Sequence, residues 1–187
     1  GFFKPFAIPL LSKIPVIGPI FFNHNIFIYL MYVLVIVLAI ALFYTKWGLR
    51  HRAMGEYPKA ADTLGVNVFR TRYLACLLSG AVAGLGGAYF SLGSVGRFEQ
   101  TMTAGRGFIA LAAMIFGNWT PIGSLGAGML FGFAESLTTK LSILRFPIPA
   151  EVLLMLPYII TIVVLAGVVG RSRGPASSGT PYEKESL

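Results

Sequence analysis

The sequence predicts an all-α, polytopic transmembrane protein. Of its 187 residues, 56% are hydrophobic and only 12% are charged, and the mean hydropathy is +0.76. A soluble domain of this size cannot bury so much apolar surface. The charge-free run from Ile26 to Thr45 is long enough to cross a hydrocarbon core of about 30 Å. The formal net charge of +8 therefore indicates membrane topology rather than nucleic-acid binding, because Lys and Arg collect in cytoplasmic segments.

Three apolar segments are predicted to span the membrane, at 26–45, 73–92 and 150–169. The polar segment 47–72 is rich in Lys and Arg, which assigns it to the cytoplasm. The first span then runs inward and the second outward. Arg171 and Arg173 follow the last span and favour a cytoplasmic C-terminus. We expect a transmembrane domain over residues 1–170 and a flexible cytoplasmic tail over residues 171–187, which are rich in Ser, Gly and Pro.

The segment 108–139 is predicted to form either a hairpin of one short and one longer helix or a re-entrant pair. As a helix, its apolar first part up to residue 119 reaches only about 18 Å. Thr120-Pro121 then supplies a helix start. The topology requires this unit to begin and end outside. Four residues are candidates for the translocation path: Phe116, Asn118, Trp119 and Glu135. The alternatives are that Asn118 satisfies the turn's backbone and that Glu135 is solvated at the membrane interface.

A short helix is predicted within the polar segment, between Gly55 and Gly65. Pro58 suits a first helical position, and Ala60 and Ala61 are strong helix formers. Gly65 can adopt the left-handed conformation that ends a helix. About seven residues span roughly 10 Å, which is too short to cross a membrane but long enough to fit a socket.

Glycines recur at helical spacing in the predicted spans. Small residues let helix backbones approach closely in lipid, so we predict helix packing at Gly80, Gly84, Gly87, Gly128 and Gly132. Lining of the permeation path is the alternative for the glycines of the second span.

The sequence contains no catalytic or metal-binding constellation. Its two histidines, His24 and His51, lie on opposite sides of the membrane in the predicted topology. No nucleophile–base arrangement and no phosphate loop of the GxxxxGK type occur in it. We therefore expect no catalytic residue, metal ligand or cofactor in this chain, and no ATP hydrolysis by it.

Several stretches together resemble the permease subunits of bacterial ABC importers. They include Thr45–Arg50, Gly55–Gly65, Met102–Ala112, Ile115–Trp119 and Leu156–Tyr158. The resemblance covers nearly the whole chain. It is strongest to the group with the branched-chain amino acid, ribose and simple-sugar permeases, and within that group to nucleoside importers of the basic-membrane-protein type. Family permeases are longer, so we expect this chain to be the C-terminal portion of one.

The resemblance implies a coupling helix, which docks in a cleft of a separate ATP-binding subunit. It would comprise Glu56, Tyr57, Pro58, Lys59, Ala60, Ala61, Asp62 and Gly65. A charge at Ala61 (Ala61→Arg) is expected to break docking without preventing membrane insertion.

The other implied partners are a second permease subunit, identical or homologous, and an extracytoplasmic substrate-binding lipoprotein. ATP and Mg²⁺ would be bound by the ATPase subunit, and the complex would lie in the bacterial plasma (inner) membrane. Nucleosides or simple sugars are the expected substrates. An ion-gradient-driven secondary transporter with broken helices is the alternative hypothesis, and a membrane-embedded enzyme is a third.

Overall fold

The computed structural model describes residues 6–7, 23–94, 96–144 and 172–183. It also describes single helical positions at Val152, Met155, Ile159, Ile162 and Val163. The chain divides into two compact units, residues 1–104 with 179–187 and residues 105–178.

The first unit opens with a minimal sheet and continues as helix. Strands β1 (Phe6–Ala7) and β2 (Asn23–His24) pair antiparallel, a small departure from the all-α prediction. Helix α1, Ile26–Tyr44, confirms the first predicted span almost to the residue. Large apolar side chains on α1, such as Val33 and Ile36, are more than half exposed. Such a surface needs lipid or a neighbouring helix to cover it.

Helix α2, Lys46–Glu56, was not predicted from the sequence. Thr45 makes an abrupt corner between α1 and α2. Its hydroxyl donates to the Ala41 carbonyl at 2.5 Å and accepts the Gly48 N–H at 3.1 Å. Gly48 is required at this corner because a Cβ there would collide with the carbonyl oxygens of Ala41 and Leu42.

Helix α3, Pro58–Thr63, lies within the short helix predicted between Gly55 and Gly65 and begins at Pro58 as expected. Helix α4 is Val68–Ala88, and a π-helical segment, Tyr89–Ser94, extends it. The helix starts earlier than the predicted Tyr73 because Asn67 caps it, accepting the Arg70 N–H at 2.9 Å. Among the described residues, two helices are long and apolar enough to span a membrane, α1 and Val68–Ser94. The mostly helical structure is therefore consistent with a polytopic membrane protein.

The second unit contains the predicted hairpin. Helix α5 is Arg106–Phe116 and helix α6 is Pro121–Ile143. A helix as short as α5 reaches only about 16 Å, so the short first helix is confirmed. Thr120 caps α6 by accepting the Gly123 N–H at 3.1 Å, and Pro121 occupies the first turn as predicted. Most of the predicted last span, 150–169, lies outside the described residues.

The glycines predicted to mediate packing are open in the described part of the chain. A Cβ built at any of them would meet no atom within 4 Å there: Gly80, Gly84, Gly87, Gly128 and Gly132. Close packing against another helix therefore stays a prediction for these positions.

Candidate functional site

The short helix α3 is held by a small apolar cluster between α2 and α4. Met54 of α2, Ala61 of α3 and Val68 of α4 are 7%, 3% and 1% exposed. Each of the three helices contributes one buried side chain. A helix as short as α3 is not stable alone in water, so this cluster determines where α3 lies.

The end of α3 has the hydrogen bonds of a Schellman motif. The Val66 N–H donates to the Ala61 carbonyl at 3.0 Å, and the Gly65 N–H donates to the Asp62 carbonyl at 2.9 Å. Gly65 has a φ of 80°. This is the left-handed conformation that the motif needs and that glycine adopts without steric cost. The predicted role of Gly65 as the residue that ends the helix is confirmed.

Exposed apolar side chains also lie on α3 and at its two ends. Tyr57 is 62% exposed and Leu64 is 84% exposed, and Ala60 lies between them in sequence. The spacing i, i+3, i+7 is typical of residues that share one helix face. Glu56 and Lys59, also members of the predicted coupling helix, are exposed beside it. The described chain therefore presents a small exposed apolar surface, formed by Tyr57, Ala60 and Leu64, which we call the α3 face.

The structure separates the two alanines that sequence analysis treated as equivalent. Ala60 is exposed, whereas Ala61 packs inside the cluster with Met54 and Val68. Ala61 is small because its own chain surrounds it. An arginine at Ala61 would disrupt the packing of α3 itself, so Ala60 is the position at which to test docking.

The sequence analysis assigned no role to Tyr182, which contacts α3 from the tail. Its hydroxyl donates to Asp62 Oδ2 at 2.8 Å, and its ring packs against the Met54 cluster. The two residues are 120 positions apart. No local sequence pattern predicts a contact between Tyr182 and Asp62, because it depends on the tertiary structure.

His51 lies on α2 beside Trp47. The two rings stack with centroids 5.0 Å apart and planes at 25°. His51 Nδ1 is buried and accepts no hydrogen bond from the described residues. Burial lowers the pKa of His51 from its ordinary value of 6.5, because a charged imidazole loses solvation there.

This pKa shift predicts that the folded structure around His51 becomes less stable in acid. The unfolded chain binds the proton near pH 6.5 and the folded chain only at lower pH, so stability is full above pH 6.5 and falls as the pH drops below it. Between about pH 7.5 and about pH 5.5, wild type should lose more thermal stability than His51→Gln, which stays neutral. The measurement is the unfolding midpoint of both purified proteins at each pH. Equal losses would contradict the prediction.

The turn between α5 and α6 brings together three of the four residues predicted for the translocation path. Asn118 has a φ of 53° and Trp119 a φ of 58°. Such values are uncommon for residues other than glycine. The Phe116 ring stacks on Phe131 of α6 at 5.7 Å. Backbone strain of this kind persists only where surrounding contacts hold it.

Residues of the tail contact this turn within the second unit. Asn118 Oδ1 accepts the Arg173 N–H at 3.4 Å, and the Ser172 hydroxyl donates to the Ile115 carbonyl at 2.8 Å. A Cβ built at Gly174 would lie 2.9 Å from the Trp119 ring. Asn118 thus bonds the backbone of the tail rather than that of its own turn, and its amide N–H₂ group remains capable of further bonds.

Glu135 lies at the other end of the hairpin. Its carboxylate accepts a hydrogen bond from Arg106 Nη2 at 3.0 Å, and the two side chains are 59% and 43% exposed. An open cavity of about 420 Å³ surrounds the pair and is lined by Arg106, Gly132, Glu135, Ser136, Thr139 and Lys140. At the helical rise per residue, Pro121 and Glu135 are about 21 Å apart along α6. The four predicted path residues therefore do not converge on one pocket.

The described residues contain no group of three metal-binding side chains. They do contain two helices suited to crossing a membrane, a short helix between them and a helical hairpin. These features are consistent with an integral membrane protein.

Comparison with known families shows which family the chain belongs to. Residues 4–165 match the family described as branched-chain amino acid transport system / permease component. The chain belongs to this family. No solved structure matches the chain.

Individual relatives carry more specific names. The guanosine ABC transporter permease protein NupQ of Bacillus subtilis (strain 168) is 46% identical over 95% of this chain and 56% of its own length. The nucleoside ABC transporter permease protein NupC of Lactococcus lactis subsp. cremoris is 45% identical over 95% of this chain and 57% of its own length. The fructose import permease protein FrcC of Rhizobium meliloti is 32% identical over 62% of this chain and 32% of its own length. The chain thus spans little more than half of the first two relatives.

Proposed function

We propose that this chain is part of the membrane-spanning permease subunit of an ATP-driven ABC importer. The observation that carries the proposal is the α3 face, an apolar surface on a capped helix between two membrane helices. Lipid does not cover it in the proposed topology, so a protein partner must. Relatives named as ABC transporter permeases at 45% and 46% identity support the same role.

The partner of the α3 face is an ATP-binding subunit. Tyr57 supplies a large exposed side chain of the type that dominates binding energy at interfaces. Ala60 allows close backbone approach beside it. Glu56 and Lys59, both exposed, set the charge at the rim. ATP and Mg²⁺ are bound and hydrolysed by that subunit, and this chain is not itself an enzyme.

The other partners are a second permease subunit and an extracytoplasmic substrate-binding lipoprotein, in a bacterial plasma membrane. The glycines left open in α4 and α6 are suited to close helix packing in such an assembly. The hydrogen bond from Tyr182 to Asp62 supports a cytoplasmic C-terminus, because it joins the tail to the positively charged polar segment.

Nucleosides are the favoured substrate class, ahead of simple sugars. NupQ and NupC, named for guanosine and nucleosides, match 95% of the chain, whereas FrcC, named for fructose, matches 62%. The cavity beside Arg106 and Glu135 falls within the usual size range of small-molecule pockets. In the proposed topology this cavity faces outward, where the binding protein releases substrate. The turn at Phe116, Asn118 and Trp119 lies deeper along the path.

Glu135→Gln tests this assignment. The Arg106–Glu135 pair is exposed. Surface ion pairs contribute at most about 1 kcal/mol, so the variant should fold and assemble like wild type. We expect uptake to fall about tenfold through loss of a charged contact at the path entrance. The control is Ser142→Ala on the same helix, outside the cavity. Unchanged uptake by Glu135→Gln would place the path elsewhere.

The proposed function is tested by uptake into proteoliposomes that contain the full-length permease, its ATPase subunit and its binding protein. Radiolabelled guanosine should accumulate only when ATP is supplied on the ATPase side, and an uncoupler should leave uptake unchanged. Uptake that an uncoupler abolishes, without any need for ATP, would instead establish the secondary transporter.

A further inference from the structure

We propose that the tail segment Thr180–Tyr182 is a strap that orients the coupling helix, with Tyr182 as its positioning residue. This inference rests on the proposed function, because it assigns a role relative to the ATPase-docking face. It concerns only contacts within the first unit.

Both the hydroxyl group and the ring of Tyr182 contact the first unit. The hydroxyl donates to Asp62 Oδ2 at 2.8 Å. The ring meets the edge of Phe69 with centroids 5.5 Å apart, and the Arg72 guanidinium lies 5.9 Å from its centroid. Arg72 Nη1 also donates to the Thr180 carbonyl at 3.3 Å. The strap is thus joined to α3 through Asp62 and to the start of α4 through Phe69 and Arg72.

The strap and the α3 face lie on different sides of the helix. Asp62 follows Ala60 by two residues, which is a rotation of about 200° around an α-helix. Asp62 is half-buried under the Tyr182 hydroxyl, whereas Tyr57, Ala60 and Leu64 remain exposed. The strap therefore leaves the α3 face open to a partner and contacts a different side of the helix.

A helix of six residues needs such support to transmit force. The contact that Ala61 makes with Met54 and Val68 fixes one point on the helix. The hydrogen bond to Asp62 adds a second fixed point, and hydrogen bonds to charged groups are stronger than neutral ones. With two fixed points, motion of a docked partner is transferred to α4 rather than lost as rotation of α3.

The experiment uses the complete transporter in proteoliposomes and measures guanosine imported per ATP hydrolysed, together with the ATPase content of the purified complex. Tyr182→Ala should lower the transport ratio about tenfold, and Tyr182→Phe, which keeps the ring, about threefold. ATPase content should stay at the wild-type level in both. Glu183→Ala, exposed and just outside the strap, is the control and should behave as wild type.

A double-mutant cycle isolates the hydrogen bond and remains informative if Tyr182→Ala fails to fold. Asp62→Ala and Tyr182→Phe each remove it, so the double variant should be no worse than the more impaired of the two single variants. A transport ratio in Tyr182→Phe equal to that of Glu183→Ala would overturn the strap, as would loss of the ATPase subunit from the Tyr182→Phe complex. Failure of the wild-type complex to use ATP would instead overturn the proposed function itself.

Discussion

Ala60→Arg is expected to abolish binding of the ATPase subunit while leaving the permease folded. Ala60 is exposed on the α3 face together with Tyr57 and Leu64, and it is not part of the Met54 cluster. A long charged side chain there would hold the partner away and would bury an unpaired charge if docking occurred. We expect at least about 100-fold weaker binding, or roughly 2.7 kcal/mol. Titration of the detergent-purified permease with the ATPase subunit measures the affinity directly.

Ala53→Arg is the matched control for this substitution. It adds the same charge at an exposed alanine of α2, outside the coupling helix. The control should bind the ATPase subunit within about threefold of wild type, since isolated surface charges change affinity little. Ala61→Arg is a second comparison, and it should lower the unfolding midpoint because Ala61 is buried. Wild-type affinity in Ala60→Arg would exclude the α3 face as the docking surface.

Gly117→Ala is expected to open the α5–α6 turn and to abolish uptake. Gly117 is buried, and a Cβ there would collide with the backbone of Gly123 and Ser124. Backbone atoms cannot move aside as a flexible side chain can, so the two helices must separate. Overpacking of this kind costs about 3 kcal/mol or more. The unfolding midpoint of the purified permease and its guanosine uptake should both fall.

Gly126→Ala, on α6, provides the control. A Cβ at Gly126 would meet no described atom within 4 Å. Alanine is also the better helix former by about 1 kcal/mol. The unfolding midpoint of Gly126→Ala should therefore equal or exceed that of wild type. If Gly117→Ala were as stable and as active as Gly126→Ala, the close approach at this turn would have no functional role.

Sequence analysis correctly predicted the features that depend on local backbone chemistry. Four such features were confirmed: the first span, the start of α3 at Pro58, the end of α3 at Gly65 and the start of α6 at Thr120-Pro121. Each follows from residues within one or two helical turns. Helix α2 was missed because its sequence has no apolar stripe and its start depends on the corner at Thr45.

The candidate site was only half predictable from the sequence. The position of the short helix α3 in the chain was predicted from its sequence pattern, but the pattern could not distinguish Ala60 from Ala61. Which alanine is buried depends on Met54 and Val68, which belong to two other helices. In the same way, Glu135 was predicted from its place in an apolar helix, whereas its partner Arg106 is 29 residues away.

The sequence by itself determined the membrane class, the first span, the turn residues and the polar segment, because hydropathy and helix caps act over a few neighbouring residues. Tertiary structure decided which face of α3 is open, which tail residue holds it and how closely α5 approaches α6. The physical reason is that such contacts join residues far apart in the chain. Their energies depend on the relative placement of whole helices, which no local pattern specifies.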